Sequence, residues 1–503
     1  MSASPTLAAA SRYADWKAPD EDGRVLIWPE PVELVRQTFE NQRALKSSDA
    51  PVQGIPLREL RAAARKWIGH GEIDQPLIAT GHQAELYHPG VWVKHAMINS
   101  IARVTSGQAY QLGVDTDAPK HLHLRWPGGS LPISDDVNLS RAPWAGLVDG
   151  PTPAHVDEIE AEFRKASAEW GFESCVGEFL ASLKRGALNE PNLPSAIINA
   201  THALDWRLGL KHHALTLSPV WMSPPFLTYA HDLLARADEL AGAYNGALAD
   251  YRAEQGIASP GRPMPDLPVS ADLIESPFWL DDLSDGTRQR LSLKRTPAGW
   301  ALRDFMFSAT APGEVAAEKL LAWLRLHNLR IAPRALTLTL YLRLFLADQF
   351  VHGIGGGRYD QVTDRIIHAF YGVNSPAFSV TTATLFFPAA AGQKRVSLRP
   401  LLQEGRRIRH GSFSREKRAM ASAISNLPRR SADRSARFFE MHRWLAQQVS
   451  SPAMTAWQQQ MDHALAEQLR QKAVFDRELF FAIQPEDRLR GIINRYDTAF
   501  AIA

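Results

Sequence analysis

The sequence predicts an α/β protein: an open, parallel sheet with helices on its faces, small inserted modules and a C-terminal helical arm. Three observations predict it. An apolar run, Pro76-Leu77-Ile78-Ala79, passes through Thr80-Gly81-His82-Gln83 and Tyr87-His88-Pro89-Gly90 into a helical pattern from Val91. A second apolar run, Ala109–Val114, follows that helix and ends in Asp115-Thr116-Asp117. From Glu314 onward, helical segments again alternate with short apolar runs. Strand, helix and strand at this crossover length make a βαβ unit with a parallel pair.

Size and composition set the frame. A chain of 503 residues exceeds one ordinary core, so two or three domains are expected. Its apolar share of 45% is that of a globular protein, and a net charge of +2 argues against nucleic-acid binding by bulk charge. The single cysteine, Cys175, excludes an internal disulfide and an all-cysteine zinc site, and fits a reducing cytoplasm. It lies in a helical-looking stretch and reads as a buried thiol. The opening residues lack a basic n-region, so no signal peptide is expected. No stretch reaches the roughly 20 apolar residues that cross a bilayer.

Taken in order, the chain divides into five parts. Residues 1–75 lead in, with a run at Val25–Trp28 and helices near Glu33–Leu45 and Leu57–Trp67. Residues 76–260 hold the first part of the core and a helical insertion. The Pro-rich connector 260–268 opens a small β-rich module, 261–310, read as an antiparallel hairpin array. Residues 311–411 hold the second part of the core. There Ile331–Leu336 reads as a further strand, and Gly355-Gly356-Gly357 as a turn before a helix from Tyr359. Residues 412–503 hold a helical arm and a C-terminal segment, the arm over about 412–480 read as an extended hairpin or coiled coil that supports a homodimer. From Lys394 to Arg437 bases outnumber acids, which suits either a solvated face or an anionic partner.

The chemistry concentrates at the ends of the predicted strands. In open parallel sheets ligands sit outside the carboxyl ends of the strands. Thr80, Gly81, Gln83, Pro89 and Gly90 are therefore candidates to bind a phosphate at a helix start. His82 and His88 offer groups that titrate near neutrality, and Lys94 a fixed positive charge. Asp115 and Asp117 bind either a substrate amine or Mg²⁺, or they merely cap and solvate. Between Lys120 and Trp126, His121, His123 and Arg125 alternate onto one face of an edge strand. An H-x-H pair without an evident third ligand is not read as a metal site. Glycines 355–357 permit close approach of a ligand to the backbone, but they match neither a P-loop nor a first-βα dinucleotide fingerprint.

Several of these landmarks resemble the bacillithiol-biosynthesis cysteine-adding enzymes. The stretch Gly81-His82-Gln83-Ala84-Glu85-Leu86-Tyr87-His88-Pro89-Gly90-Val91-Trp92-Val93-Lys94 is similar to that family's first βα turn. Gly113-Val114-Asp115-Thr116-Asp117 corresponds to its acidic strand end. Tyr341-Leu342-Arg343-Leu344 and Gly355-Gly356-Gly357-Arg358-Tyr359-Asp360 correspond to its arginine segment and glycine turn. The order holds over about residues 75–370. His82, the Tyr87–Gly90 segment and Asp360 depart from the family pattern.

The resemblance implies a Rossmann-like, nucleotidyltransferase-like core and a coiled-coil arm that makes a dimer. It also implies a ligase that joins cysteine to an amino-sugar acceptor. On that basis Arg343, Arg358, Asp360 and His121 join the substrate- and nucleotide-binding candidates. ATP or another nucleotide is the expected cofactor, with Mg²⁺ possible and no resident metal. A small molecule is the expected substrate. The alternative is a non-catalytic Rossmann protein that binds a nucleotide or metabolite and works through its basic helical arm.

Overall fold

A computed structural model describes residues 16–71, 74–186, 189–390, 393, 395–411, 414–448 and 452–501. Lys394, the first residue of the basic stretch, lies outside them. The chain forms two units: Met1–Leu385 with Arg477–Ala503, and Phe386–Asp476.

The larger unit is built on a six-stranded sheet of β1 (Val25–Trp28), β2 (Leu77–Gln83), β3 (Gln108–Val114), β4 (His213–Thr216), β5 (Gln349–His352) and β6 (Phe378–Ala383). Their order across the sheet is β1-β6-β5-β2-β3-β4. All neighbours run parallel except β1, which pairs antiparallel with β6 at one edge. Leu77, Ile78 and Ala79 are wholly buried, as a strand covered on both faces requires.

The chain runs outward from β2 to β3 and β4, then returns to the other side of β2 with β5 and β6. The order therefore reverses between β2 and β5. Such a reversal opens a crevice at the carboxyl ends of the two strands. Val351 pairs with Thr80, so His352 and Gly353 follow at the level of Gly81 and His82.

Six helices matter here: α1 (Pro31–Lys46), α2 (Leu57–Trp67), α3 (Pro89–Thr105), α4 (Leu193–Leu208), α5 (Ile354–Tyr371) and α6 (Glu486–Ala501). The βαβ unit β2-α3-β3 forms as the sequence predicts. Pro89 starts α3, where its missing N–H costs nothing, and Ser106 ends it in the left-handed region.

Gly113 lets α4 lie close on β3. A Cβ there would stand 2.0 Å from Ile198 Cδ1. Gly113→Ala should cost about 1–3 kcal/mol through overpacking, read as a lower urea midpoint. An unchanged midpoint would mean that Ile198 has room to turn away.

Several expectations are corrected. Ile331–Pro333 does not extend the parallel sheet. The strand Leu329–Pro333 pairs antiparallel with Leu273–Asp282, completing a second, five-stranded sheet with the hairpin strands from Thr287 to Phe307. The C-terminal segment beyond the arm, with helix α6, belongs to the larger unit. It packs on α3, where Asp497 accepts from Ser100 at 2.8 Å. Phe481, just before it, stacks flat on Trp92 at 4.9 Å. His123–Trp126 forms a separate hairpin with Gly129–Pro132, although its alternation holds, with Leu124 and Trp126 buried and His123 and Arg125 exposed.

The smaller unit is helical: Arg399–Gly411, Ser414–Ser425, Ala432–Gln448 and Pro452–Gln471. The first pairs with the fourth and the second with the third. Its core gathers Ile408, Met454, Trp457 and Met461. Gly405 makes room for the Trp457 ring, and Trp457 Nε1 donates to the carbonyl of Leu401 at 2.7 Å.

Candidate functional site

The ends of β2, β3 and β5 lie side by side, so the Thr80–Gln83 segment, the Asp115–Asp117 acids and the start of α5 share one edge of the sheet. In detail the chemistry is redistributed among different groups.

Strand β2 does not break at Thr80. It stays paired with β3 through Gln83, opposite Val114, so its backbone is held in a ladder rather than freed for a phosphate. Thr80 Oγ1 donates to the Val351 carbonyl at 2.8 Å, tying β2 to β5. The start of α3 is closed as well. His88 Nδ1 accepts from Gly90 N–H at 3.1 Å, and Val91 and Trp92 donate to the His88 carbonyl. At Gly90 a Cβ would stand 2.7 Å from Thr382 Oγ1 and 2.9 Å from the Ala383 carbonyl oxygen. Pro89 and Gly90 thus serve close packing against β6, and α3 offers no vacant amide cradle.

Helix α5 is the open one. It starts at Ile354, so Gly355, Gly356 and Gly357 sit inside its first turn and not in a loop before Tyr359. Gly353 occupies the cap position with no side-chain cap, which leaves first-turn N–H groups to be satisfied from outside the helix. A Cβ on Gly357 would meet Val380 Cγ2 at 2.5 Å, and one on Gly356 would meet His352 Nδ1 at 2.9 Å. These two glycines bring α5 and His352 together beside the switch point.

Below the end of β2 lies a buried charged cluster. Lys94 is 2% exposed and donates one hydrogen bond, to the Gly81 carbonyl at 3.0 Å. Glu85 is 7% exposed; its Oε1 lies 3.2 Å from His82 Nδ1, and its Oε2 is buried with no hydrogen-bond partner. Burial pushes the Glu85 carboxyl up to about 7, against the pull of Lys94 and Lys120. Burial likewise brings the Lys94 amine down to about 7, with Glu85 opposing. Lys94 is therefore not a fixed positive charge near neutral pH.

His82 keeps 29% of its side chain exposed at the rim. Packing, then Lys94, holds its imidazole well below the usual range, hence neutral. Nδ1 also lies 3.2 Å from the Gln83 carbonyl oxygen. An oxygen on each side of Nδ1 fixes the proton there and leaves the Nε2 lone pair as a base.

The Glu85–Lys94 pair gives stability a signature in pH. Glu85, raised in the folded state, protects folding below its unfolded value and loses that contribution as pH rises to about 7. Lys94, lowered in the folded state, makes stability climb again as pH rises above about 7. Replacing both, Glu85→Gln with Lys94→Met, should help stability most near pH 7 and progressively less on either side. Chemical denaturation of both proteins across that range checks it. A pH-independent difference would show that neither group is shifted.

Four further candidates are engaged by the protein itself, and a fifth, His121, is tied through its backbone. Asp115 is 1% exposed and accepts from Ser218 N–H at 2.8 Å and from the Ser218 hydroxyl. Burial raises it, and Ser218 partly offsets that. Both carboxylate oxygens are thus engaged, which removes it as a Mg²⁺ or amine ligand. Asp117 accepts from Gln83 Nε2 at 2.7 Å, which closes the gap between β2 and β3. Arg343 pairs with Asp360 at 2.5 Å and Asp364 at 2.6 Å, all within the protein. Arg358 donates to the Trp16 carbonyl at 2.6 Å. His121 has a positive φ of 49°, and its carbonyl accepts from Leu86 N–H. Asp115, Asp117, Arg343 and Arg358 are thus engaged within the protein, whereas the His121 side chain stays exposed.

Sequence reading passed over Glu85, His352 and one further cluster. His95, Asp205 and His212 bring their ligand atoms within 4.8 Å of one another, the spacing of a metal site. Hydrogen bonds close it instead. Lys211 N–H donates to Asn99 Oδ1, so Asn99 Nδ2 donates to His212 Nδ1 at 3.1 Å. His212 then carries its proton on Nε2, facing Gln111 Oε1 at 3.3 Å. Asp205 accepts from Trp92 Nε1 at 2.7 Å and His95 Nδ1 at 2.8 Å. Burial holds His212 neutral in this network, which supports α3 and α4 from behind the site. Glu85 lies only ten residues before His95 and Lys94 adjoins it, but nothing local marked any of them as buried together.

Comparison with known proteins adds no relative: no family model and no curated protein matches this chain.

Proposed function

We propose that this protein is an enzyme that joins or transfers a group onto a small amine or amino-sugar substrate at the β2/β5 switch point. The observation that carries the reading is the coincidence of two things at that point. One is a buried, incompletely hydrogen-bonded acid–amine pair, Glu85 and Lys94. The other is the uncapped start of α5 on the adjacent strand. A nucleotide phosphate would sit on the α5 amides rather than on α3, because α5 begins without a side-chain cap and α3 is capped by His88. His82 Nε2 would accept a proton from the attacking amine. ATP is the proposed nucleotide. Mg²⁺, if it takes part, would have to be held chiefly by phosphate oxygens, since Asp115 is committed to Ser218.

The narrower proposal, a carbon–nitrogen ligase of the cysteine-adding kind with a Rossmann-like core, rests on the order of the landmarks from Gly81 to Asp360. The internal commitment of Asp115, Arg343 and Asp360 favours the second reading, a pocket that binds a nucleotide or metabolite without turnover. The helical unit 386–476 is the proposed dimer contact in either case. Phe439 and Leu469 there are 66% and 71% exposed.

Titration calorimetry with ATP, followed by phosphate and AMP release with a panel of amine acceptors, separates the readings. His82→Ala should lower turnover about a hundredfold with little change in melting temperature. Tight ATP binding without turnover of any acceptor would favour the non-catalytic reading. A collapsed melting temperature with unchanged affinity would make His82 a structural residue.

A further inference from the structure

We propose that Lys94 is a nucleophilic amine that forms an imine with a small carbonyl compound, an aldehyde or a 2-oxo acid, with Glu85 as the proton donor to the departing oxygen. The geometry leads to this independently of the ligase reading. Lys94 projects from the second turn of α3 back to the end of β2 and spends one donor on the Gly81 carbonyl. Among the described residues no carboxylate lies in salt-bridge contact with it, as a resident ammonium would need at this depth. Glu85 Oε2 faces no partner at all, which is costly for a carboxylate and tolerable for a carboxylic acid. A neutral amine beside a neutral acid is the cheapest pairing in such a place.

Burial sets this state against the neighbouring charges: Lys94 and Lys120 pull Glu85 toward the carboxylate, and Glu85 pulls Lys94 toward the ammonium. Lys94, His88 and His95 lie near His82, which is held neutral. Both groups balance near pH 7, where amine and acid coexist.

The step balances in atoms and charge. The Lys94 amine attacks the carbonyl carbon, a C–N bond forms, and proton transfer gives a carbinolamine. The C–O bond then breaks as Glu85 gives its proton to the hydroxyl, which leaves as water. The products are a protonated imine on Lys94, one water and the Glu85 carboxylate. No oxidant or reductant is needed. Entry would be past His82, whose side chain is 29% exposed.

The test uses the full-length protein with glyoxylate as the carbonyl probe and cyanoborohydride to trap the imine, followed by peptide mass mapping. An exposed lysine is neutral in only about one molecule in a few thousand at pH 7. Lys94 should therefore take at least tenfold more label than any other lysine at pH 7, and lose that lead at pH 10.5. Even labelling of the exposed lysines at pH 7, or an unlabelled Lys94, would overturn the proposal. Because the mapping is done on the unaltered chain, it does not depend on a variant that folds.

Glu85→Gln tests the proton donor. Removing Glu85 withdraws a charge that raises the amine, so arylation of Lys94 by trinitrobenzenesulfonate should stay as fast or quicken. Imine trapping should slow about tenfold or more, because it needs an acid. Equal effects on both reactions would overturn the role of Glu85.

Discussion

Asp348→Ala should destabilise the protein by about 3–5 kcal/mol, the cost of stranding buried charge. Asp348 sits just before β5, and its carboxylate joins three chain segments. Oδ1 accepts from Arg61 at 2.7 Å, and Oδ2 accepts from Arg65 at 2.5 Å and from Leu77 N–H at 2.8 Å. Asp348, Arg61 and Arg65 have side chains 3% exposed or less. The arginines also donate to the carbonyls of Leu344, Leu346 and Ala347, which have no other route to water. Without the carboxylate, two guanidinium groups remain buried without a counter-charge. Asp348→Asn keeps the shape and one acceptor, so it should fall between. Urea denaturation of both variants reads the effect. A loss below 1 kcal/mol for Asp348→Ala would mean that water enters to solvate the arginines.

Arg343→Ala should be a folding variant of similar size, about 3–5 kcal/mol, and not a ligand-binding variant. Arg343 is 1% exposed and bridges Asp360, Asp364 and the Pro376 carbonyl, while His352 Nε2 lies 2.9 Å from the same Asp360 oxygen. Burial alone would raise Asp360, but Arg343, then His352, hold it well below the usual carboxylate range. A depressed carboxylate contributes stability above its unfolded value and loses it as pH falls through the folded one. The gap between wild type and variant should therefore be wide at neutral pH and narrow in acid. Ligand affinity lost at unchanged stability would return Arg343 to the list of binding residues.

Local pattern carried much of the architecture. The run from Leu77 to Ala79 could only be a strand covered on both faces, and α1 and α2 lie within two residues of their sequence positions. What local pattern cannot carry is partnership across the chain. Arg61 and Arg65 stand one turn apart on the apolar face that holds Leu57, Leu60 and Ala64. That was a visible sign of buried arginines, yet nothing nearby named Asp348. Asp115 and Arg343 looked available for ligands because Ser218 and Asp360 approach them only through the fold. Leu329–Pro333 has the composition of any buried strand, and its sheet is decided by Leu273–Asp282. The apolar run Phe480–Ile483 was the one local sign that the C-terminal segment returns to the core. Glu85 escaped notice for a different reason. An acid in a polar stretch reads as solvated, and only the packing of α3 against the sheet buries it.

The central claim is that the β2/β5 switch point is the ligand site. The most direct measurement is to identify by mass spectrometry the ligand carried through purification, or ATP soaked into crystals, and to place it in electron density. The account predicts density over the start of α5, with atoms in reach of His82 and Lys94. Density confined elsewhere would contradict it. The alternatives are the cavity of about 320 Å³ beside β4, lined by Trp67, Ser195, Asn199 and Thr216, or the one of about 520 Å³ beside Cys175.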